Sequence, residues 1–529
     1  MISPFVTDWV LEHASRDGDA PAIATPTVRL SYGQLAARFG TLSAALRERG
    51  LTPGERVVVA LPNLAATVVA ELAVQAAGGC VVEVNRSWGP DAVLDVVKRT
   101  GARRAFVWGR DARMWADILR ARALSLWTVA ADDAQEAVLT AGVVEARVAD
   151  DGRLLSPVGS GALMPSPRAA RADAALIIFT SGSTDTPHGV VQTWGNIDAN
   201  TRSIVRYLGI TSADRAMLVL PLSYCYGRSV LQTHLFAGGS VFLDDRFMYP
   251  RVVLQTMVAE GCTGFAGVPA TFELIRRQVD PRSLGPLPLR YVTQAGDAMA
   301  PETIRWVREA FAPAPLFVMY GQTEATARLS YLPPERADEK EGSIGVPIPG
   351  VELMVVDDAG LALPDGTIGN LIARGENVTP GYLDEPGETG RILRDGWLWT
   401  GDLAHRDGDG FFFHAGRSRE IVKIRGHRVS PAEIERVITL HPDVVEAAVA
   451  GATDPAAGEV VAAYVVRRAG ATVTEAALRR FCSEHLPAFK VPARVTFVAA
   501  LPRGESGKVQ RRRLGADTET SARAEALRA

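Results

Sequence analysis

The stretch RVVVALPNLAATVVAELAVQAAGGCVVEV, residues 56–84, decides the class of fold. A short β-branched run, RVVVAL, is followed by an alanine-rich run of helical length, and CVVEV then resumes the β-branched pattern. The helical pattern DAVLDVVKRT and another apolar run, ARRAFVW (102–108), come next. Short apolar strands that alternate with helices are typical of α/β proteins with largely parallel sheets. We therefore predict an α/β fold.

Two changes of pattern divide the rest of the chain. From about 345 to 415, Gly and Pro become dense and the apolar segments shorten, which predicts β-hairpins with D-G turns and a β-rich subdomain. A compact pattern of helices and strands then follows up to about 515 and predicts a small α/β domain. We expect domains at 1–416 and 417–529, the second ending in a mobile polar tail. The Gly-, Pro- and Ser-rich stretch 145–172 is predicted to be a surface loop.

Composition and charge argue against several classes of protein. The 529 residues carry a formal net charge of -3, so neither nucleic acid nor an anionic membrane is expected as a partner. The four cysteines are widely spaced without a C-x-x-C pair, which argues against a zinc site or a disulfide framework. Polar residues interrupt the most apolar stretch, 64–84, which predicts a buried helix and strand and no membrane span. The N-terminus lacks a signal-peptide pattern, so we expect a cytoplasmic protein.

The strongest single motif is AALIIFTSGSTDTPHGV, residues 174–190. A buried strand leads into a loop of hydroxyl and glycine residues, Thr180, Ser181, Gly182, Ser183 and Thr184. Backbone N–H groups and hydroxyls in such a loop suit phosphate oxygens, and glycine permits close approach. The loop lacks the G-x-x-x-x-G-K-[ST] pattern, so an ordinary P-loop nucleotide hydrolase is disfavoured. Alone the motif is weak, since many Ser/Thr/Gly loops are simple turns.

A second motif, MYGQTEA (319–325), offers three kinds of nucleotide contact. The Tyr320 ring suits stacking on a base, and the Thr323 hydroxyl suits a phosphate. The Glu324 carboxylate is a hard oxygen ligand of the kind that Mg²⁺ prefers.

Three more motifs follow toward the C-terminus. WLWTGDLA (397–404) places Asp402 at the end of a predicted strand, where a carboxylate suits the hydroxyls of a ribose. The others are GRSREIVKIRGHRVSPAEIE (416–435) and LPRGESGKVQRRRL (501–514), and the latter holds Lys508 in a glycine-containing loop.

In order and spacing, the five motifs resemble those of the adenylate-forming superfamily, which includes acyl- and aryl-CoA synthetases, nonribosomal-peptide adenylation domains and firefly luciferase. The resemblance runs from LSYGQLAARF (30–39) to Lys508. It implies a large N-terminal domain of layered sheets and helices, and a small C-terminal domain that rotates between two half-reactions. It also implies ATP and Mg²⁺ as cofactors, a small carboxylic acid as substrate, and CoA or the phosphopantetheine of a carrier protein as thiol.

The resemblance assigns a role to each motif residue. Lys508, Thr323 and Glu324 would be catalytic, with Glu324 also the metal ligand, and Arg419 occupies the hinge position. The residues that would bind the nucleotide are Thr180, Ser181, Gly182, Ser183, Thr184, Gly296, Asp297, Tyr320, Asp402 and Arg417. The role of Lys508 is physically coherent, because a carboxylate that attacks the α-phosphate brings two anions together.

Two motif positions depart from the family's pattern. The phosphate loop usually continues T-G-x-P-K-G, but this chain has Asp185 for the glycine and His188 for the lysine. An aspartate beside phosphates is unfavourable unless it faces away or binds metal, and a histidine carries a full charge only when protonated. Either pyrophosphate binding is weakened or the position tolerates drift, and we favour drift. The hinge residue, commonly Asp or Lys, is Arg419, which can still pivot through its backbone.

Two segments resemble those that line the acyl pocket, PLSYCYGRSVLQTHLFAGGSV (221–241) and GFAGVPATFELI (264–275). The first has no aspartate to hold an α-ammonium group, so an ordinary α-amino acid is disfavoured. The expected pocket residues are Tyr224, Cys225, Tyr226 and Gly267. The tyrosines would shape an aromatic or short acyl site, or else pack inward as core.

The leading hypothesis is an acyl- or aryl-CoA synthetase, which forms an acyl-adenylate with release of pyrophosphate and then transfers the acyl group to CoA. The nearest alternative is a stand-alone ligase that loads a carrier protein in trans. A third uses the same fold with an unusual acceptor or anion, such as an amine or nitrite. A catalytically silent binding protein is disfavoured, because the motif residues from Thr323 to Lys508 are intact. The acid itself is not predicted.

Overall fold

The computed structural model of the protein describes residues 3–121, 124–129, 143–155, 169–180, 187–418, 422–424, 427–454, 458–502, 509 and 513–514. The loop residues 181–186, Arg419 and Lys508 lie outside the described residues. The same holds for the tail after 514, for which the sequence predicts mobility.

The helices of the described residues are α1 (Val6–Arg16), α2 (Tyr32–Glu48), α3 (Ala65–Ala76), α4 (Pro90–Thr100), α5 (Ala112–Ala121), α6 (Trp194–Leu208), α7 (Cys225–Ala237), α8 (Pro250–Ala259), α9 (Pro269–Gln278), α10 (Pro301–Ala310), α11 (Pro386–Ile392), α12 (Pro431–Thr439) and α13 (Glu475–His485). The first half of the strands are β1 (Pro21–Ala24), β2 (Arg29–Ser31), β3 (Arg56–Ala60), β4 (Cys80–Glu83), β5 (Arg104–Trp108), β6 (Ser125–Val129), β7 (Val143–Val148), β8 (Ala174–Thr180), β9 (His188–Thr193), β10 (Arg215–Leu218), β11 (Ser240–Leu243), β12 (Gly264–Gly267) and β13 (Tyr291–Gln294). The second half are β14 (Leu316–Tyr320), β15 (Ser330–Leu332), β16 (Val346–Pro347), β17 (Val351–Val356), β18 (Gly369–Gly375), β19 (Leu393–Arg394), β20 (Trp397–Arg406), β21 (Phe412–Arg417), β22 (Val422–Ile424), β23 (His427–Val429), β24 (Val444–Asp454), β25 (Gly458–Arg467) and β26 (Arg494–Phe497).

A seven-stranded sheet carries the predicted alternation of strands and helices. Its order is β7-β6-β5-β3-β4-β8-β9, and every pair is parallel except β8 with β9. Strand β4 is buried at every residue, as expected for a parallel sheet covered on both faces. Helix α3 is also buried along its whole length. The α/β prediction is therefore confirmed.

A nine-stranded sheet of order β16-β15-β14-β13-β12-β10-β11-β1-β2 forms the second layer. Strands β1 and β10 to β14 are joined by parallel pairs, whereas β2, β15 and β16 are antiparallel additions at the edges. Because the carboxyl ends of parallel strands meet at one edge, the segments that follow β10, β12, β13 and β14 gather there. Seven of the site residues that the sequence nominates lie in these segments, namely Tyr224, Cys225, Tyr226, Gly296, Asp297, Thr323 and Glu324.

The later part of the chain forms separate, smaller sheets. Strands β17 to β21 make a five-stranded sheet of antiparallel pairs, in the region where hairpins are predicted. Beyond it, β24, β25 and β26 form a three-stranded sheet that packs with α12 and α13 around a core of its own. The domain limits at 416 and 417 stay a prediction.

The predicted surface loop at 145–172 is partly wrong. Residues up to Val148 belong to β7, at the edge of the seven-stranded sheet, where Val148 pairs with Val129. Ala146 and Val148 are buried while Arg147 between them is partly exposed, which is the alternation of an edge strand. The strand is too short, and its surroundings too polar, for that alternation to stand out in the sequence.

The apolar stretch 64–84 forms α3 and β4 as predicted, and no helix in the described parts of the chain is long and apolar enough to cross a membrane.

Two of the polar residues that interrupt this stretch, Glu71 and Glu83, are partners of a buried arginine. Arg228 donates two hydrogen bonds to Glu71, at 2.7 and 2.8 Å, another to Glu83, and one to the Leu222 carbonyl at 3.1 Å. This triad ties α7 to α3 and β4. Burial, with Glu71 alongside, raises the pKa of Glu83 well above its usual range despite the charge of Arg228.

Candidate functional site

Two of the predicted nucleotide residues are joined directly. Tyr320, the last residue of β14, donates a hydrogen bond from its hydroxyl to Asp402 Oδ2 at 2.6 Å. Asp402 lies on β20 opposite Arg417 on β21, and Arg417 Nε is 3.3 Å from Asp402 Oδ1. His414 Nε2 lies 3.5 Å from the same oxygen. The three residues that the sequence predicts for base and ribose thus form one cluster, which also includes His414.

The electrostatics of this cluster keep Asp402 ionised. The side chain is buried, which by itself raises the pKa of a carboxyl group. The hydrogen bond and charge of His414, the charge of Arg417 and the hydrogen bond from Tyr320 outweigh burial and hold the pKa of Asp402 below its ordinary value. A buried carboxylate that stays charged is a strong acceptor for hydroxyl groups.

The MYGQTEA motif continues into a tight turn that the rest of the fold holds in place. Thr323 to Ala325 form one turn of 3-10 helix. The side-chain amide of Gln192, on β9, donates to the carbonyls of Thr323 and Thr326 at 3.2 and 3.1 Å. Thr326 has a φ of 66°, a left-handed conformation that is costly for a β-branched residue. Such backbone strain persists where the surrounding structure over-determines it, which is common at functional sites.

Thr323 and Glu324 point to different neighbours. Thr323 donates a hydrogen bond to Cys225 Sγ at 3.4 Å, which connects the motif with the predicted acyl segment. Glu324 Oε1 accepts a hydrogen bond from the Tyr382 hydroxyl at 2.8 Å. The Tyr382 ring lies 4.8 Å from the His188 ring, between ring centroids. The turn therefore connects the predicted acyl segment, at Cys225, with His188, which lies at the end of the predicted phosphate loop.

At the base of the phosphate loop, Thr180 and His188 face each other as the last pair of the β8–β9 hairpin. His188 Nδ1 is 2.6 Å from Glu385 Oε2. The other oxygen of Glu385 pairs with the Arg99 guanidinium, which also donates to the Pro187 carbonyl. The histidine that replaces the family's lysine therefore has a carboxylate partner, and Arg99 places a permanent positive charge beside it.

Gly296 and Tyr224 are in close contact after β13. Gly296 has a φ of 96°, and a Cβ at this position would lie 2.5 Å from the Tyr224 hydroxyl. Only glycine permits this backbone and this approach. The carboxylate of Asp297 accepts a hydrogen bond from the backbone N–H of Ala298 at 2.9 Å, and thus stabilises its own loop.

The remaining predicted pocket residues lie deeper. The Tyr226 hydroxyl shares a hydrogen bond of 2.7 Å with Thr293 Oγ1, and the backbone of Gly267 is also within hydrogen-bonding reach of it. Tyr226 is buried, and it also lines an internal cavity. Tyr226 therefore packs in the core and borders this cavity, and its role in an acyl site stays a prediction.

Sequence reasoning missed several residues that the structure places at the site. They are Arg99, Arg328, Tyr382, Glu385 and His414. A usable signal existed for Arg328, because it is a lone charge in the apolar run ATARLSYL shortly after MYGQTEA. The others follow no motif recognised in the sequence.

The site suits a magnesium ion held mainly by phosphates. No group of three or more His, Cys, Asp or Glu side chains able to hold a metal ion occurs among the described residues. Glu324 nevertheless offers one carboxylate between the phosphate-loop base and Thr323. Mg²⁺ is commonly bound by one or two carboxylates together with water and substrate phosphates, so the donor set fits.

Comparison with known proteins agrees with this geometry. Residues 10–383 match the AMP-binding enzyme family, and 433–508 match the AMP-binding enzyme C-terminal domain. The chain is 34% identical to the sulfoacetate–CoA ligase of Cupriavidus necator, over 94% of each protein. It superposes with a TM-score of 0.82 and 25% identity on the o-succinylbenzoate CoA synthetase of Bacillus subtilis in complex with its acyl-adenylate intermediate, covering 96% of this chain and 97% of that one. The amide bond synthetase McbA from Marinactinospora thermotolerans gives a TM-score of 0.84 at 26% identity, covering 96% of this chain and 99% of that one. The protein is a member of the AMP-binding enzyme family, the adenylate-forming superfamily that its motifs resemble.

Proposed function

We propose that this protein is an AMP-forming acid–CoA ligase that uses ATP and Mg²⁺. The observation that carries the proposal is the convergence of three groups at the carboxyl ends of the parallel strands. These groups are the Tyr320–Asp402 pair, the Thr323 hydroxyl and the Glu324 carboxylate. The likeness to CoA ligases over nearly the whole chain supports it.

The first half-reaction joins the acid to AMP. A carboxylate oxygen of the acid forms a bond to the α-phosphorus of ATP, and the bond from that phosphorus to the bridging oxygen breaks to release pyrophosphate. Asp402, with Arg417, would hold the ribose hydroxyls, and Tyr320 would stack on the base. Thr323 would bind the α-phosphate, and the loop from Thr180 would bind the outer phosphates. Bound Mg²⁺, held by Glu324, would neutralise phosphate charge.

The second half-reaction transfers the acyl group. The sulfur of CoA, having lost its proton, forms a bond to the acyl carbonyl carbon, and the bond from that carbon to the AMP oxygen breaks. We propose that the C-terminal domain, 417–529, turns about Arg419 between the two steps. Lys508 would act in the first of them.

The choice of acceptor and acid is part of the proposal. CoA is favoured because the sulfoacetate–CoA ligase, which matches this chain over 94% of each protein, is a CoA ligase. An amine acceptor is a second candidate, favoured by the likeness to an amide bond synthetase. A carrier protein is a third, which the sequence leaves open. The acids in the names of the two ligases, sulfoacetate and o-succinylbenzoate, each carry two acidic groups.

The direct test is acid-dependent exchange of labelled pyrophosphate into ATP, measured across a panel of carboxylic acids. The best acid is then offered with CoA, a phosphopantetheinylated carrier protein or an amine, and the product is identified by mass spectrometry. We expect an acyl-CoA thioester. If the main product is an amide or a loaded carrier protein, the acceptor is an amine or the carrier and not CoA. If none of the acids supports pyrophosphate exchange, the proposed function is wrong.

Glu324→Gln is expected to raise the Mg²⁺ concentration needed for half-maximal exchange by about tenfold or more, because a neutral amide is a poorer ligand for a hard cation. The measurement is the exchange rate over a Mg²⁺ titration at saturating ATP. Glu335→Gln makes the same chemical change at an exposed position and serves as the control. An unchanged Mg²⁺ dependence would place the ligand elsewhere.

Tyr320→Phe is expected to raise KM for ATP by roughly tenfold with a smaller effect on kcat. The substitution keeps the ring but removes the hydrogen bond to Asp402, and a hydrogen bond to a charged group contributes about 1.5–3 kcal/mol. Steady-state exchange kinetics at varied ATP measure the effect. Tyr249→Phe, at an exposed tyrosine, is the matched control. A kcat loss at unchanged KM would contradict a role in nucleotide binding.

A further inference from the structure

Arg328 is a buried cation without a buried anion. Its side chain is 2% exposed and is among the largest fully buried side chains of the described residues. Its Nε has no hydrogen-bond partner, and no carboxylate in the described part of the chain forms an ion pair with it. Arg228, which is buried to a similar degree, has two carboxylates. Because a buried charge is costly unless it is paired, Arg328 is suited to an anion that arrives from outside the protein.

The groups around Arg328 are aromatic and do not neutralise it. Its guanidinium carbon lies 4.7 Å from the centroid of the Tyr226 ring, and its charge acts on the hydroxyls of Tyr207 and Tyr224. A cation over a tyrosine face is stabilised without being neutralised. Phenol rings and hydroxyls thus orient the guanidinium and leave its charge available.

Arg328 lines a small internal cavity. The cavity has a volume of about 20 Å³, and Tyr226, Thr293 and Met319 also border it. His234 is the other basic side chain in the lining. Burial lowers the pKa of His234 to about 4, so it is neutral at pH 7. No Asp or Glu of the described residues lines the cavity, so Arg328 gives it a net positive charge.

Residues that line the cavity are chain neighbours of residues of the proposed reaction centre. Met319 precedes Tyr320 on β14, and Arg328 follows Thr323 by five residues. Tyr226 follows Cys225, whose sulfur accepts the hydrogen bond from Thr323. Thr323, the residue proposed to bind the α-phosphate, thus contacts Cys225, and the next residue of α7, Tyr226, contacts Arg328. An acid whose carboxylate meets that phosphate would extend its other end toward this guanidinium.

We propose that Arg328 determines substrate specificity by binding a second anionic group of the acid, a carboxylate or a sulfonate. The inference rests on the proposed function and names the class of acid, a short molecule with two acidic groups. The planar guanidinium can donate two parallel hydrogen bonds to such a group. The small cavity limits the length of the linker between the two acidic groups.

The test uses matched acids that differ only in the second anion: propanoate with succinate, and propanoate with 3-sulfopropanoate. The wild-type enzyme is expected to show a kcat/KM for exchange that is at least about tenfold higher for the doubly acidic member of one pair. Arg328→Met should reduce that value by about 10- to 100-fold while propanoate stays within a few-fold of wild type. Arg328→Lys should keep part of the preference. Arg374→Met, at an exposed arginine paired with Glu352, is the control.

Thermal unfolding and ATP binding of each variant show whether it is folded. The comparison of the two acids of a pair in the wild-type enzyme does not depend on any variant. Calorimetric binding of each acid to wild type with AMP measures the same preference without turnover. Tighter binding of a doubly acidic member therefore supports the site even if no acid drives exchange, in which case the proposed function alone fails. A wild-type preference for propanoate, or an equal loss for both members of a pair in Arg328→Met, would overturn the inference. Equal binding of both acids of each pair to the wild-type enzyme would also overturn the inference and would indicate that water occupies the cavity.

Discussion

Lys508→Ala is expected to lower acid-dependent ATP–pyrophosphate exchange by about 10²–10³-fold, the usual cost of removing one well-placed electrostatic donor. The prediction rests on the sequence motif LPRGESGKVQ, since Lys508 lies outside the described residues. Its ammonium would stabilise the charge that develops on pyrophosphate as the acyl–phosphate bond forms. The chain contains only five lysines, so a lysine kept in this loop indicates a need for a compact cation.

Both half-reactions must be measured to interpret this variant. Thioester formation from purified acyl-adenylate and CoA should stay near the wild-type rate, because the adenylate is already formed. Lys98→Ala, at an exposed lysine, is the control for loss of a positive charge. An exchange rate within a few-fold of wild type would remove Lys508 from the adenylation step. Equal losses in both half-reactions would point to a folding defect or a shared role.

Arg228→Met is expected to lower the free energy of unfolding by about 3–5 kcal/mol, the typical cost of removing one partner from a buried ionic group. The loss leaves Glu71 and Glu83 buried without their cation, and it breaks the link from α7 to α3 and β4. Equilibrium unfolding in urea measures the change. A loss below about 1 kcal/mol would show that the triad contributes little.

The pH dependence identifies the cause of this loss. Burial raises the pKa of Glu83 well above its usual range even beside Arg228, and the variant loses the positive charge that opposes this rise, so its folded state binds more protons than the unfolded state. By linkage, the loss in free energy of unfolding relative to wild type is smallest below the unfolded-state pKa and grows as pH rises through the folded-state pKa. The triple variant with Glu71→Leu and Glu83→Leu should recover much of the stability, because an apolar replacement of a buried ionic group is often neutral or better. A pH-independent deficit would indicate lost packing instead.

Local patterns were sufficient to predict the class of fold and the β-rich region. The alternation of β-branched and helical runs in 56–108 predicts an α/β fold with largely parallel sheets, and the dense Gly and D-G turns after about 345 predict the antiparallel hairpins. Each of these signals depends on residues a few positions apart, because side-chain periodicity and turn conformation are local properties. The family motifs are also contiguous, so Tyr320, Thr323, Glu324 and Asp402 can be nominated without a structure. The edge strand β7 was missed because its alternation spans too few residues.

Only the tertiary structure decides which of these residues meet. Tyr320 and Asp402 are 82 residues apart, and His188 and Glu385 are 197 apart, so their contacts depend on which strand ends the sheets bring together. The two buried arginines illustrate the limit most clearly. In the sequence both are single charges in apolar segments, yet folding places Glu71 and Glu83 around Arg228 and no carboxylate of the described residues around Arg328. Whether a buried charge is neutralised by the protein or left for a ligand depends on the three-dimensional positions of distant side chains, which no local pattern encodes.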